Sequence, residues 1–186
     1  MQFEGFSMLP PQDAGWMIVT GSPEPGRKVA FVKDPHAMPM HATEVHAYRV
    51  NIQSDSRDQI LQHSAQRMKE VRESAGFRIV KWEVHKPAKD QAPTPDCREY
   101  SGVIIEPELW TSTVRVEQGM ICSHPDEPAY VVDVGAADFY RGLNPGPKMD
   151  VIVWGESLVP EVPGFKKDVG ILESFQFTPL PSTKAP

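Results

Sequence analysis

Three groups of residues have types and spacings that could do chemistry. The densest is His36-Ala37-Met38-Pro39-Met40-His41, followed by His46. Imidazole and thioether together are the ligand set that soft copper prefers, so His36, Met38, Met40, His41 and His46 form a candidate site for a periplasmic copper-binding protein. Against this, the segment falls in an expected loop between Pro35 and Pro39, where Met and His serve packing equally well. The second group is Cys97, after Thr94-Pro95-Asp96, and Cys122, before Ser123-His124-Pro125-Asp126. Each sits where a strand is expected to meet a turn, which suits a structural disulfide. Such a bond closes a loop of about 25 residues and, in the chain-entropy model, stabilises a fold by about 3 to 4 kcal/mol. The alternative is two reduced thiols in a cytosolic protein. Redox or nucleophilic chemistry needs closely spaced cysteines or a thiol of lowered pKa, and His124 at two residues from Cys122 does not by that spacing provide one.

The third group is the paired carboxylates Asp126/Glu127, Glu106/Glu108 and Glu70/Glu73. The first two pairs lie in or beside turns and the third on the polar side of a helix, so all read as solvated surface. A hydrolytic dyad needs two carboxyl groups set facing one another. No Gly-x-Ser-x-Gly elbow, phosphate-cradling glycine loop or His-Glu-x-x-His helix occurs. The expectation is a protein that is not an enzyme and carries no cofactor, with a catalytic site assembled from separated residues as a further alternative. That alternative would show as a concave pocket where ionisable groups converge. Trp16, Trp82, Trp110, Trp154, Tyr48 and Tyr140 are candidates for an aromatic ligand groove, but most of them read as core. Trp110, between Pro107-Glu108-Leu109 and Thr111-Ser112, reads as a hairpin-tip side chain available to a partner.

The elements that must position these groups come from a chain of 186 residues, enough for one core. One domain is expected over 1–178, followed by a mobile tail, 179–186. The 19 prolines are about twice the ordinary usage of ~5%, which argues for a loop-rich chain rather than a helical bundle. The net charge of −6, without any basic and aromatic cluster, argues against a nucleic-acid partner. No apolar run approaches the ~18 residues a membrane span needs. Met1-Gln2-Phe3-Glu4-Gly5 reads as a start set directly before the first strand, compatible with a removed signal or lipid anchor. The compartment argument therefore rests on the cysteines, which favour a periplasmic or secreted location over the cytoplasm.

Strands are expected at 3–8, 16–20, 28–33 and 43–52. In the last, His46, Tyr48, Val50 and Ile52 share one face, as suits an antiparallel strand with one buried side. One helix is expected over 57–75, with the stripe Ile60, Leu61, Ser64, Met68, Val71 and Ala75, a Ser56/Gln59 capping box, and Gly76-Phe77 as its stop. A strand follows at 77–85, with Val80, Trp82 and Val84 on one face, and a Pro-rich loop at 86–96 then delivers Cys97. A meander is expected from strands at 98–109, 112–122 and 129–135, with Val114/Val116 and Tyr130/Val132/Val134 facing inward. Helical turns are expected near 137–142 and 156–162, a strand at 151–154, and a closing strand at 170–178. The fold class is α+β, an antiparallel sheet with one main helix packed on it.

The early strand leading to Gly15-Trp16, the strand-rich first half, the central helix on an antiparallel sheet and the closing Leu172-Glu173-Ser174-Phe175-Gln176-Phe177 together resemble the PsbP-like family. That resemblance implies an α/β/α sandwich and a role in binding or assembling other proteins rather than catalysis. It carries no functional residue across. The cysteine pair and the Pro-rich loop depart from the general pattern and look more like a small secreted bacterial protein or lipoprotein. The functional expectation is an extracytoplasmic protein-interaction or assembly domain.

Overall fold

The helix is where local chemistry is most explicit. In the computed structural model, which describes residues 1–12, 14–19, 26–36, 40–52, 56–87, 96–107, 111–143 and 174–181, α1 runs Arg57–Ser74. Ser56 is extended and its side chain accepts from the Gln59 N–H at 3.4 Å, satisfying one of the donors that a helix start leaves unpaired. At the other end Gly76 takes φ +87°, Gly76 N–H donates to Glu73 O at 3.0 Å and Phe77 N–H to Arg72 O at 3.1 Å. These are the two bonds of a Schellman stop. Ile60, Leu61, Ser64 and Ala65 are buried. The expected stripe ends there with half-buried Met68: Val71 is 57% exposed, because in the last turn Arg72 takes the inward position instead.

Ten strands accompany α1 among the described residues: β1 Gln2–Phe3, β2 Phe6–Ser7, β3 Trp16–Val19, β4 Arg27–Lys33, β5 Met40–Arg49, β6 Arg78–His85, β7 Cys97–Pro107, β8 Thr111–Ser123, β9 Tyr130–Leu143 and β10 Gln176–Phe177. Seven of them form one antiparallel sheet in the order β3-β4-β5-β9-β8-β7-β6, and β1, β2 and β10 form a second, small sheet. The expected strand at 3–8 is thus a hairpin turned at Gly5 (φ +79°), and of the described part of the expected closing strand Gln176 and Phe177 pair, with β2. The expected strand at 151–154 and helical turn at 156–162 lie outside the described residues.

The expected helical turn at 137–142 is strand. Residues 136–143 pair in register with β8, and Ala136 to Phe139 pair with β5 as well, so ladder bonds on both sides override the weak strand propensity of Ala136-Ala137-Asp138. β6 also departs from simple alternation. A bulge between Ile79 and Lys81 sends Val80 to pack with Val103, Ile105 and Val114, while Trp82 packs with α1 on the opposite face.

The two faces of the large sheet are covered differently. One packs Val29, Phe31, Val45, Ala47, Met120, Val132 and Val134 against Phe6, Met8 and Phe175 of the small sheet and its flanks. Leu180, in the expected tail, packs here too, and Thr178 N–H donates to Gly5 O at 2.9 Å. Cys97 and Cys122 stand directly opposite one another on β7 and β8 and are joined as a buried disulfide on this face. The other face carries α1 over β6, β7 and β8, with Ile60, Leu61 and Ala65 against Tyr100, Ile121 and Val131. β5 therefore has cover on both sides, where the alternation of its sequence suggested one.

Candidate functional site

Beyond the last turn of α1 the helix-bearing face turns polar. Strand register places side chains there by parity: Glu44 and His46 from β5, Asp133 opposite His46 on β9, Arg115 and Glu117 from β8, Tyr100 from β7 and Arg27 opposite His46 on β4. Arg72 enters from α1. Glu117 is the hub, 3.0 Å from Arg72 Nη2 and 2.8 Å from Arg115 Nε. Glu44 is the second, accepting from Arg27 Nη1 at 2.9 Å and lying 3.6 Å from Arg115 Nη2 and 3.7 Å from His46 Nε2. The cations are held in turn by rings, Arg72 over Trp82 at 5.4 Å and Arg115 over Phe139 at 5.1 Å. Trp82 itself stacks on Tyr100 at 5.4 Å.

Tyr100 lies across Gly119 and Gly135, where any Cβ would collide with its hydroxyl. Glycine at both positions thus lets the ring cross the sheet and hydrogen-bond the Asp133 carboxyl. Together these groups enclose a cavity of about 20 Å³. That is room for one water molecule.

The two outer carboxyls are tuned in opposite directions. Burial raises the pKa of Asp133 to about 6, against the pull of His46, Arg72 and the Tyr100 hydroxyl. Burial also raises that of Glu44, but His46, Arg115 and Arg27 outweigh it and hold the carboxyl at about 2. Desolvation likewise pushes the Tyr100 hydroxyl well up, with the negative charges of Asp133 and Glu117 adding to it. The chamber therefore contains one carboxyl able to change charge near neutrality and one fixed as an anion.

The residues singled out for copper do not converge. Met40 and His46 fall on the chamber side of β5 while His41 falls on the other, where its Nδ1 bonds Asp138. His36 lies in an exposed turn and Met38 outside the described residues. Among the described residues no group of three or more His, Cys, Asp or Glu is arranged to hold a metal ion. Trp110 and Glu108 also lie outside them. Of the other paired carboxylates, Glu127 binds Arg49 at 2.8 Å, Glu73 lies 3.8 Å from Lys69, and Glu70 accepts from Gln66 at 2.9 Å. Apart from His46, the charged residues of the chamber were not singled out from the sequence. Their signal was a charge inside an apolar strand, as at Val131-Val132-Asp133-Val134.

The two ends of the large sheet form a second place of interest. At one edge β3 pairs, among the described residues, with β4 alone. Its Met17, Ile18 and Val19 are 48%, 53% and 39% exposed. By register Met17 and Val19 lie on one side and Ile18 on the other, so the edge is apolar on both. At the opposite edge β6 presents Arg78, Lys81, Glu83 and His85, with Lys81 and Glu83 paired at 3.1 Å.

No family model matches the chain, and no curated protein matches it. Among solved structures it is similar to the solution structure of cyanobacterial PsbP (CyanoP) from Synechocystis sp. PCC 6803, at 11% identity, over 95% of each chain, with a TM-score of 0.44. Over its described residues the chain is an α+β protein, one main helix on an antiparallel sheet.

Proposed function

We propose that this is a non-catalytic protein-interaction domain of an oxidising, extracytoplasmic compartment, and that it receives an extended apolar segment of another protein along β3. The observation that carries the reading is the uncharged β3 edge, with Met17, Ile18 and Val19 exposed and Trp16 half-buried against the core. Edge strands present unpaired backbone groups, and soluble proteins usually guard them with charge, proline or bulges. An added strand would take those backbone groups as its ladder, and Met17, Ile18 and Val19 would supply apolar contacts on both faces. The compartment reading rests on the buried Cys97–Cys122 bond, which uses both cysteines.

Catalysis is the weaker reading, although ionisable groups do converge in the chamber. Its volume admits a water and no substrate, and Glu44 and Glu117 are already engaged by arginines. The test is capture from envelope extract. A band retained by the wild type should be lost with Ile18→Lys and kept with the Lys81→Glu/Glu83→Lys swap. Equal capture by all three proteins would overturn the β3 reading, and turnover of a small substrate abolished by Glu117→Gln would overturn the non-catalytic one.

A further inference from the structure

Glu117 and Asp133 are 2% and 4% exposed. Each has an oxygen, Glu117 Oε1 and Asp133 Oδ1, without a hydrogen-bond partner among the described residues. Buried carboxylate oxygens left unpaired are costly. Arg72 Nη2 donates to Glu117 Oε2, Arg27 Nη1 to Glu44 and Tyr100 to the Asp133 carboxyl, while Arg115 Nε lies 2.8 Å from Glu117 Oε2 as an ion pair without completing a hydrogen bond. Both residues border a cavity of about 20 Å³. An ordered internal water needs about 10 to 15 Å³ by that measure and two to four polar partners.

We propose that the chamber is a binding site for one water molecule, which donates one hydrogen to Glu117 Oε1 and the other to Asp133 Oδ1. The bridge joins β8 to β9 at the point where α1 is clasped to the sheet through Arg72. It also makes Glu117 and Asp133 a coupled pair, so that a proton taken up on the Asp133 side turns that carboxyl from acceptor to donor and reverses one of the water's bonds. The charged and titratable groups facing this pair are Glu44 and His46 from β5, Tyr100 from β7, Arg115 from β8 and Arg72 from α1.

A high-resolution crystal structure of the whole chain, grown without ammonium salts at pH 5 and at pH 8, tests the site. The expected result is a single peak within about 2.6 to 3.2 Å of both oxygens at both pH values. An empty chamber, or a direct contact between the two carboxyls, would overturn it. Coupling is read separately by carboxyl ¹³C titration in solution. Glu117→Gln should lower the Asp133 midpoint by about half a unit to one unit, as expected when a neighbouring like charge is removed. An unchanged midpoint would dispose of the pair.

Discussion

The two edges of the large sheet solve the same problem in opposite ways. β6 carries Arg78, Lys81, Glu83 and His85, a bulge between Ile79 and Lys81, and α1 packed on its inner face. β3 has no charged residue, no bulge in its pairing with β4, and three large apolar side chains exposed. Among the described residues both strands have one neighbour only, so position in the sheet does not explain the difference. Protection against unwanted pairing is built at β6 and withheld at β3, which is what a strand kept for a partner requires.

Four changes separate the two edges, in decreasing order of energy. Replacing Cys97 and Cys122 by Ala opens the disulfide on β7 and β8, in the β6 half of the sheet. Urea denaturation should show a loss of about 3 to 4 kcal/mol, while the protein that still folds captures its partner as before. A loss of capture in parallel with stability would break the claim that β3 acts by itself.

Asp133 lies between the edges, on β9. Its folded-state pKa of about 6 stands above the ordinary 3.8, so its contribution is fully present below the unfolded value and is lost as pH rises through 6. Glu44, held at about 2 against 4.5, behaves oppositely: its contribution is present above 4.5 and is lost as pH falls toward 2. Stability should therefore peak between about pH 3.8 and 4.5 and decline from there to pH 6. Asp133→Asn should stabilise the protein at pH 8 by up to about 3 kcal/mol, the equivalent of the roughly two-unit shift, and change little at pH 4.5. Thermal melts across that range check it, and a pH-independent effect of the substitution would refute the burial argument.

Ile18→Lys acts at β3 alone. Partner affinity should fall at least tenfold, about 1.4 kcal/mol, with stability within about 0.5 kcal/mol of wild type because the side chain is half exposed. Titration calorimetry against the captured partner reads both the affinity and its loss. The smallest effect on folding is expected from Lys81→Val/Glu83→Val, again within about 0.5 kcal/mol. Its consequence should appear in sedimentation instead, as concentration-dependent self-association through a second unguarded edge. A strictly monomeric double variant would show that charge is not what guards β6.

Legibility in the sequence followed locality. The caps of α1 lie within a few residues of what they cap, so Ser56, Gln59 and Gly76-Phe77 announce both ends. Cys97 and Cys122 were readable because each borders a turn. The chamber was not, because the alternation rule assigns a charge on a strand to the wet face. Glu117 and Asp133 are buried only because α1, β5 and Tyr100 come together over them, which pattern along one strand does not reveal. β3 was read as a strand, but its place at the edge depends on the order of seven strands paired across most of the chain. The bulge that moves Val80 off the face of Trp82 is equally non-local.

The claim that β3 is the docking edge is tested most directly by site-specific photocrosslinking in cells, with the photoreactive residue placed in turn at Ile18 and at Glu83. The account predicts one discrete adduct with another protein from position 18, removed by adding Met17→Lys, and none from position 83. Adducts from position 83 alone, or equally from both edges, would contradict it.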